Sequence, residues 1–145
     1  MREVRRIVGG NDPAGRSVIL ADTATASLTV APGVEVVELW QSKGARVKLG
    51  DADLSPPLKV VFPPPGETAF RIIEFKNNDG ASSLAGHDQA AILEGEITYI
   101  TEGDEIVVCA GDAIIQLGNV HSWRNTSGAS VLLAVVQAAA DPLGR

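Results

Sequence analysis

Residues Gly86 to Asn125 decide the fold, and they read GHDQAAILEGEITYITEGDEIVVCAGDAIIQLGNVHSWRN. Short runs rich in apolar residues alternate here with turn sequences built from Glu, Gly and Asp. Strands are therefore predicted at 87–93, 96–102, 106–109 and 113–117. In the second of them, EITYIT alternates between polar and apolar types, which is the pattern of a half-buried strand. Short strands at regular spacing with tight turns predict an all-β antiparallel sandwich or barrel.

The flanking segments carry the same strand pattern. Strands are also predicted at 2–8, 17–21, 34–40, 67–76 and 131–138. The last of these, VLLAVVQA, is almost entirely apolar and is expected to be buried on both faces or nearly so. In the strand at 67–76, Arg71 is expected on the face opposite to Phe70, because side chains alternate along a strand. No amphipathic helix is predicted.

Glycine, proline, asparagine and aspartate mark the predicted loops, at 9–15, 23–32, 76–86 and 126–129, of which the second has room for an edge strand. The longest irregular stretch, 42–65, contains five prolines, which remove backbone donors and do not fit a central strand. Loops of this length are usually functional or mobile. The stretch is interpreted either as a surface excursion or as a lid over the mouth of a barrel.

Length, charge and cysteine content limit the class of protein. A chain of 145 residues suits one domain, 1–145. Its net charge of −6 argues against nucleic acid as a partner, because phosphate binding requires clustered Lys and Arg. No signal peptide or membrane-spanning run is recognised, so a cytoplasmic protein without a membrane partner is expected. The single cysteine, Cys109, excludes an internal disulfide and is expected to be buried in its apolar strand.

A set of regularly spaced residues closes the opening stretch. Gly111, Gly118, His121 and Asn125 are spaced as in a motif of glycine, then Pro-x-Gly, then histidine after two residues and asparagine after three more. Gln116 stands where the proline is usual, and the first gap is one residue short. This motif is the second of the two that define the cupin superfamily, which the chain resembles here.

The first cupin motif is His-x-His, an acid after three or four residues and a glycine after six more. Asp88 and Gly95 match its second half. The two histidine positions fall on Ser82 and Leu84. The chain therefore resembles a cupin whose first metal motif is degenerate.

The resemblance covers about 67–138 and implies that this part forms a core barrel, the cupin-type double-stranded β-helix or jelly roll. Residues 1–41 exceed what a minimal barrel needs and are interpreted as N-terminal strands. Related small cupins commonly dimerise, often with such strands packed across the interface. A homodimer is therefore expected.

His121 is the first candidate for a functional residue. In cupins this position points into the barrel and ligates a divalent metal, and imidazole suits a transition metal. Alternatively, His121 acts as a metal-free acid or base beside Asp88, or it lines the cavity through hydrogen bonds. Because His87 adjoins Asp88 in a strand, the two should face opposite sides. If Asp88 faces inward, Asp88 and His121 are the two inward-facing ligands that remain. Whether a divalent transition metal is the cofactor is therefore left open.

Further contacts to a small-molecule ligand are expected near His121. Trp123 lies two residues further along the strand and should face the same way. Arg124 should face the opposite side, and Asn125 should form hydrogen bonds in the following turn. The remaining candidates for substrate binding are Trp40, Tyr99 and Gln116. For the two aromatic residues, a dimer contact or core packing is the alternative.

Two functions from different classes are the main alternatives, and an accessory or structural dimer with a filled barrel is a third. Small cupins include isomerases, lyases and dioxygenases, so the resemblance implies an enzyme acting on a small organic acid or an aromatic compound in a pocket around His121. The alternative is a non-catalytic module that binds a small ligand and has lost its metal site. Ser82 and Leu84, at the positions of the two histidines, motivate the second interpretation.

Overall fold

The structure, a computed structural model, describes residues 3–42, 63–85 and 87–138, and for 78–85 and His87 it describes the backbone only. This part of the chain contains strands and turns but no helix, and hence none that would span a bilayer. Its strands are β1 (Val4–Asn11), β2 (Ser17–Thr25), β3 (Leu28–Ala31), β4 (Val34–Ser42), β5 (Thr68–Phe75), β6 (Asn78–Ala85), β7 (His87–Glu94), β8 (Glu96–Ile100), β9 (Glu105–Cys109), β10 (Ala113–Ile115), β11 (Val120–Asn125) and β12 (Val131–Ala138).

Two larger antiparallel sheets enclose the core. One has the strand order β10-β7-β12-β5-β4-β3, the other has the order β6-β11-β8-β9, and β1 and β2 form a separate hairpin. The all-β prediction is thus confirmed. Strands of both larger sheets contribute to the apolar core, which consists of Val34, Val36, Ile73, Phe75, Ala90, Ile92, Ile97, Val108, Trp123, Val131, Leu133 and Val135.

Alternation along β5 and β12 determines which side chains enter the barrel. In β5, Arg71 is buried and Phe70 is 41% exposed, which confirms that they face opposite sides. In β12, the odd-numbered residues from Val131 to Gln137 are buried. The expectation that both faces of β12 are buried is wrong at Val136, which is 40% exposed because this face of the sheet lies at the surface.

The segment 76–86 was predicted as a loop, and that prediction is wrong for most of it. Residues 78–85 form β6, which pairs antiparallel with β11. The sequence NDGASSLA has neither apolar alternation nor β-branched residues. It is a strand because β11 provides the backbone hydrogen-bonding partner, and this interaction overrides weak local preference. Most of the predicted loop or lid, residues 43–62, lies outside the described residues.

The N-terminal loops are also shorter than predicted. β1 continues through Gly9 and Gly10 to Asn11, with a register shift between Val8 and Gly9. A β-bulge of this kind lets a strand pass through glycines that a sequence pattern marks as a loop. The hairpin of β1 and β2 lies against β4, where Arg6 Nε donates to the Leu39 carbonyl at 2.5 Å.

Cys109 is exposed, so its predicted burial is wrong. It lies in β9, the edge strand of the four-stranded sheet, where Val108 faces the core and its neighbour therefore faces solvent. The turn glycines behave as expected. Gly95 has a φ of 84°, and a Cβ there would lie 3.0 Å from both the Ser130 carbonyl oxygen and Val131 Cγ2.

Candidate functional site

Polar side chains replace apolar ones at one end of the barrel interior. Inward positions that continue the apolar rows of β4, β5, β7 and β12 carry charged or amide groups, and each of these side chains is at most 4% exposed. A further buried glutamine follows β10, and a buried histidine is the second residue of β11. We call this set the polar end, and it consists of Glu38, Arg71, Asp88, Gln116, His121 and Gln137.

One half of the polar end is a buried ion pair extended by an amide. Glu38 and Arg71 are register partners on β4 and β5, and Arg71 Nε donates to Glu38 Oε2 at 2.5 Å. Arg71 Nη1 donates to Gln137 Oε1. Burial raises the pKa of Glu38 above its ordinary value, and the hydrogen bond and charge of Arg71 act in the opposite direction.

The other half surrounds a small cavity. Gln137 is the register partner of Asp88, and the Gln116 backbone N–H donates to the Asp88 carbonyl at 2.8 Å. The cavity measures about 10 Å³, which is about the space that one water molecule needs. Its lining combines these three polar residues with an apolar wall, and consists of Ile73, Phe75, Asp88, Ala90, Gln116, Trp123, Leu133, Val135 and Gln137.

His121 lies beside this cavity rather than in its wall. Its Nδ1 is 3.0 Å from the Asn119 carbonyl oxygen, which can only accept, so Nδ1 carries the proton and donates. In the neutral imidazole, Nε2 then presents a lone pair. It is buried and has no hydrogen-bond partner among the described residues. A buried imidazole in this state is suited to accept a proton or a hydrogen bond.

Aromatic rings connect His121 to the cavity. The centroid of the His121 ring is 6.1 Å from that of Trp123, which lines the cavity, and 5.8 Å from that of Tyr99. Tyr99 Oη accepts a hydrogen bond from Asn119 Nδ2 at 2.9 Å. The same loop residue thus binds both Tyr99 and His121, and it fixes their relative positions.

Trp40 lies away from the cavity. The Arg6 guanidinium is 5.8 Å from the centroid of its ring, and Trp40 is not among the residues that line the cavity. This arrangement attaches the N-terminal hairpin to β4. Arg124 faces outward and pairs with Glu105 at 2.6 Å, and Asn125 Nδ2 donates to the carbonyls of Phe75 and Ala129, both as expected.

Sequence patterns did not single out Glu38, Arg71 or Gln137. The sequence nevertheless contains a pattern that could have indicated these three residues. Each is a polar residue in a strand position that alternation directs inward, as Arg71 is between Ala69 and Ile73. A buried charge requires a partner, so such positions mark an interior that is not purely apolar.

Comparison with solved structures identifies the architecture. The cupin domain of Cnp3 from Schizosaccharomyces pombe aligns over 96% of this chain and 88% of that chain, with a TM-score of 0.56 and 12% identity. A putative ethanolamine utilization protein Q from Salmonella typhimurium aligns over 97% of this chain and 100% of that chain, with a TM-score of 0.53 and 17% identity. The chain has a cupin fold.

A third cupin of this kind is KdgF from Halomonas sp., with a TM-score of 0.51 and 14% identity over 77% of this chain and 86% of that chain. No protein-family model and no curated protein matches the sequence. At these identities the likeness concerns the jelly-roll fold. The chemistry of this protein has to be argued from its own residues.

The cupin fold raises the question of whether this protein holds a metal. The register places Leu84 opposite His121 and Ser82 opposite Trp123, at the two positions where the first cupin motif has histidines. Leucine offers no metal ligand. Among the described residues there is no group of three His, Cys, Asp or Glu side chains that could hold a metal ion. A catalytic metal normally has about three protein ligands, so the described residues do not fit a tightly held transition metal.

Proposed function

We propose that this cupin binds a small organic molecule at the polar end of its barrel and that His121 transfers a proton to or from it. The observation that carries the proposal is the buried Nε2 of His121, which has no hydrogen-bond partner among the described residues and, in the neutral ring with Nδ1 donating to Asn119, presents a lone pair. An imidazole in this tautomer acts as a general base near neutral pH. The reaction class is therefore proton transfer, as in isomerases and lyases.

The surrounding residues support binding as well as chemistry. Trp123 and Phe75 supply an apolar wall, while Asp88 and Gln116 supply polar groups on the same cavity. Ligand sites commonly combine a mostly apolar lining with a few polar groups that orient the ligand. Asp88 is the second candidate for a proton-transferring group, because it is an acidic residue that lines the cavity and is buried.

A non-catalytic binding module is the second candidate function. It is favoured by Leu84 and Ser82 at the positions opposite His121 and Trp123, because loss of metal ligands with retention of the cavity leaves binding without metal chemistry. The two functions differ in whether the ligand is converted. A ligand that raises the melting temperature and is recovered unchanged favours the binding module.

The test of the enzyme proposal is the replacement His121→Ala. Ligands are first selected by their effect on the melting temperature, and conversion is then followed by NMR of the reaction mixture. We expect kcat to fall by about 10²–10⁴-fold, the usual contribution of a general acid or base. Arg124→Ala serves as the control, since Arg124 faces outward, and it should retain full turnover.

Full turnover in a folded His121→Ala protein would contradict this role for His121. Metal content of the untagged protein, purified without chelators, is measured in parallel. About one equivalent of a transition metal that disappears in His121→Ala would contradict metal-free proton transfer at this site.

We also propose that the protein is a homodimer, formed through the outer face of the six-stranded sheet. A row of register partners crosses four neighbouring strands of this face, from Ile115 through Gln89 and Val136 to Phe70. Its apolar members are between 40% and 63% exposed. Exposed apolar patches mark interaction sites, and an uncharged one suits self-association of a chain that carries a net charge of −6.

Replacing Val136 with Glu is expected to convert the dimer to a monomer, because an isologous interface would place two such carboxylates close together. Light scattering at micromolar concentration measures the mass. The matched control is Ile106→Glu, which changes a residue that is 59% exposed on the other sheet. A monomeric wild-type protein, or dissociation by the control alone, would contradict the assignment.

A further inference from the structure

One row of register partners crosses the inner face of the four-stranded sheet and becomes exposed at the edge of that sheet. Tyr99 pairs with Trp123 on β11 and with Ile106 on β9, the edge strand. Directly opposed residues of an antiparallel pair lie on the same face. Trp123 is 4% exposed, Tyr99 is partly buried and Ile106 is 59% exposed. The inner face of this sheet is therefore open at its β9 edge.

Strand alternation places Ile106 on the face that forms the barrel interior. Val108 lies two residues further along β9 on the same face, and it is buried in the apolar core. Val107, between the two, faces outward and is 56% exposed. An exposed apolar residue on an outer surface is ordinary, whereas Ile106 is exposed on a face that is covered at Val108. The cover of this face ends between Val108 and Ile106, which leaves an open site with an apolar floor.

His121 lies toward the same end of the sheet as Ile106. Both β9 and β11 run antiparallel to β8. The step from Val108 back to Ile106 and the step from Trp123 back to His121 therefore lead in the same direction. The centroid of the His121 ring is 5.8 Å from that of Tyr99, and Tyr99 adjoins Ile106 in register. The open face is thus continuous with the proposed ligand site at His121.

Two polar atoms at this end have complementary hydrogen-bonding capacities. Tyr99 Oη accepts from Asn119 Nδ2, and its own O–H proton has no acceptor among the described residues. His121 Nε2 has no partner among the described residues and accepts when the ring is neutral. A ligand that satisfies both atoms accepts from Tyr99 and donates to His121. A neutral hydroxyl group does both, whereas a carboxylate only accepts and an ammonium group only donates.

From the open face and these two atoms we propose that the ligand is an aromatic compound with a hydroxyl group. Its ring lies on Tyr99 and Ile106, and its hydroxyl group binds Tyr99 Oη and His121 Nε2. Aromatic rings pack against each other in tilted or offset arrangements, as Tyr99 and Trp123 do at 5.1 Å. Tyr99 and Ile106 determine this specificity. The inference deepens the proposed function and rests on it, because it requires a ligand that reaches His121.

The experiment compares phenol, benzoate and benzylammonium at equal concentration near neutral pH, using the full chain. All three have an aromatic ring, and phenol alone has a hydroxyl group, which stays protonated at this pH. We expect phenol to raise the melting temperature most, since a ligand that binds only the folded state stabilises it. In Tyr99→Phe, affinity for phenol measured by calorimetry should fall by about fivefold, the usual effect of losing a neutral hydrogen bond. Toluene, which has no hydroxyl group, should bind this variant and the wild type alike.

A matched pair of variants on β9 tests the position of the ring. Ile106 and Val107 are neighbours with 59% and 56% exposure, and they lie on opposite faces of the strand. Ile106→Gln is expected to weaken phenol binding by about tenfold, because the ring loses apolar contact area. Val107→Gln makes an equivalent change on the outer face and should leave the affinity unchanged.

The outcomes separate this inference from the proposed function. Phenol that stabilises no better than benzoate or benzylammonium would overturn the ligand class. Equal phenol affinity in Ile106→Gln and Val107→Gln would overturn the position of the ring. If another class of ligand is converted in a reaction that His121→Ala abolishes, and phenol does not bind, the inference is wrong and the proposed function stands. If phenol binds as expected and His121→Ala retains turnover, the inference stands and proton transfer by His121 is wrong.

Discussion

Replacing Arg71 with Met is expected to lower the free energy of unfolding by about 3–5 kcal/mol, the usual cost of removing one member of a buried ion pair. Arg71 is 4% exposed and donates to both Glu38 and Gln137. Without it, the Glu38 carboxylate is buried with no cation at this position. Chemical denaturation followed by fluorescence of the tryptophans measures the change.

The matched control for this prediction is Arg124→Met, which removes an arginine from an exposed ion pair. Arg124 and Glu105 are 34% and 51% exposed in their side chains, and such pairs contribute about 0–1 kcal/mol. The double variant Glu38→Leu/Arg71→Met should recover most of the loss, because apolar residues often replace a buried pair without cost. A loss in Arg71→Met no larger than in Arg124→Met would contradict a buried pair.

Replacing Trp123 with Ala is expected to lower the free energy of unfolding by about 3–5 kcal/mol, the usual range for a buried aromatic residue. Trp123 is 4% exposed, and its ring lies 5.1 Å from that of Tyr99 and 6.0 Å from that of Phe75. Its removal enlarges a cavity that already exists beside it, and the surrounding strands cannot close the space. Denaturant unfolding measures this change also.

Trp40→Ala provides the comparison for Trp123→Ala. Trp40 is half-buried at the contact with Arg6, outside the core cluster, so its replacement should cost less. If Trp40→Ala destabilises the protein as much as Trp123→Ala does, the central packing role of Trp123 is wrong. Loss of ligand binding in Trp123→Ala without a comparable loss in Trp40→Ala would further support the position of the ligand.

Part of the candidate site could be predicted from the chain alone. Asp88, Gln116, His121 and Trp123 were singled out from motif spacing, and the structure places all four at the same end of the barrel or beside its cavity. Their roles in binding or catalysis stay predictions. Trp40 was one candidate for the same site, with a dimer contact or core packing as alternatives, and the structure places it against Arg6 of the N-terminal hairpin. Spacing along the chain does not specify which sheet face a distant strand covers.

Local patterns determined the strands with strong alternation, the turns at Gly95, Gly111 and Gly118, and the inward face of β5. These features depend on residues within one strand or one turn, where alternation and backbone sterics act directly. Only the tertiary structure made a strand of residues 78–85, because their backbone pairs with β11. It also assembled Glu38, Arg71 and Gln137 into one buried network. These residues are far apart in the chain, and strand register alone brings their side chains together.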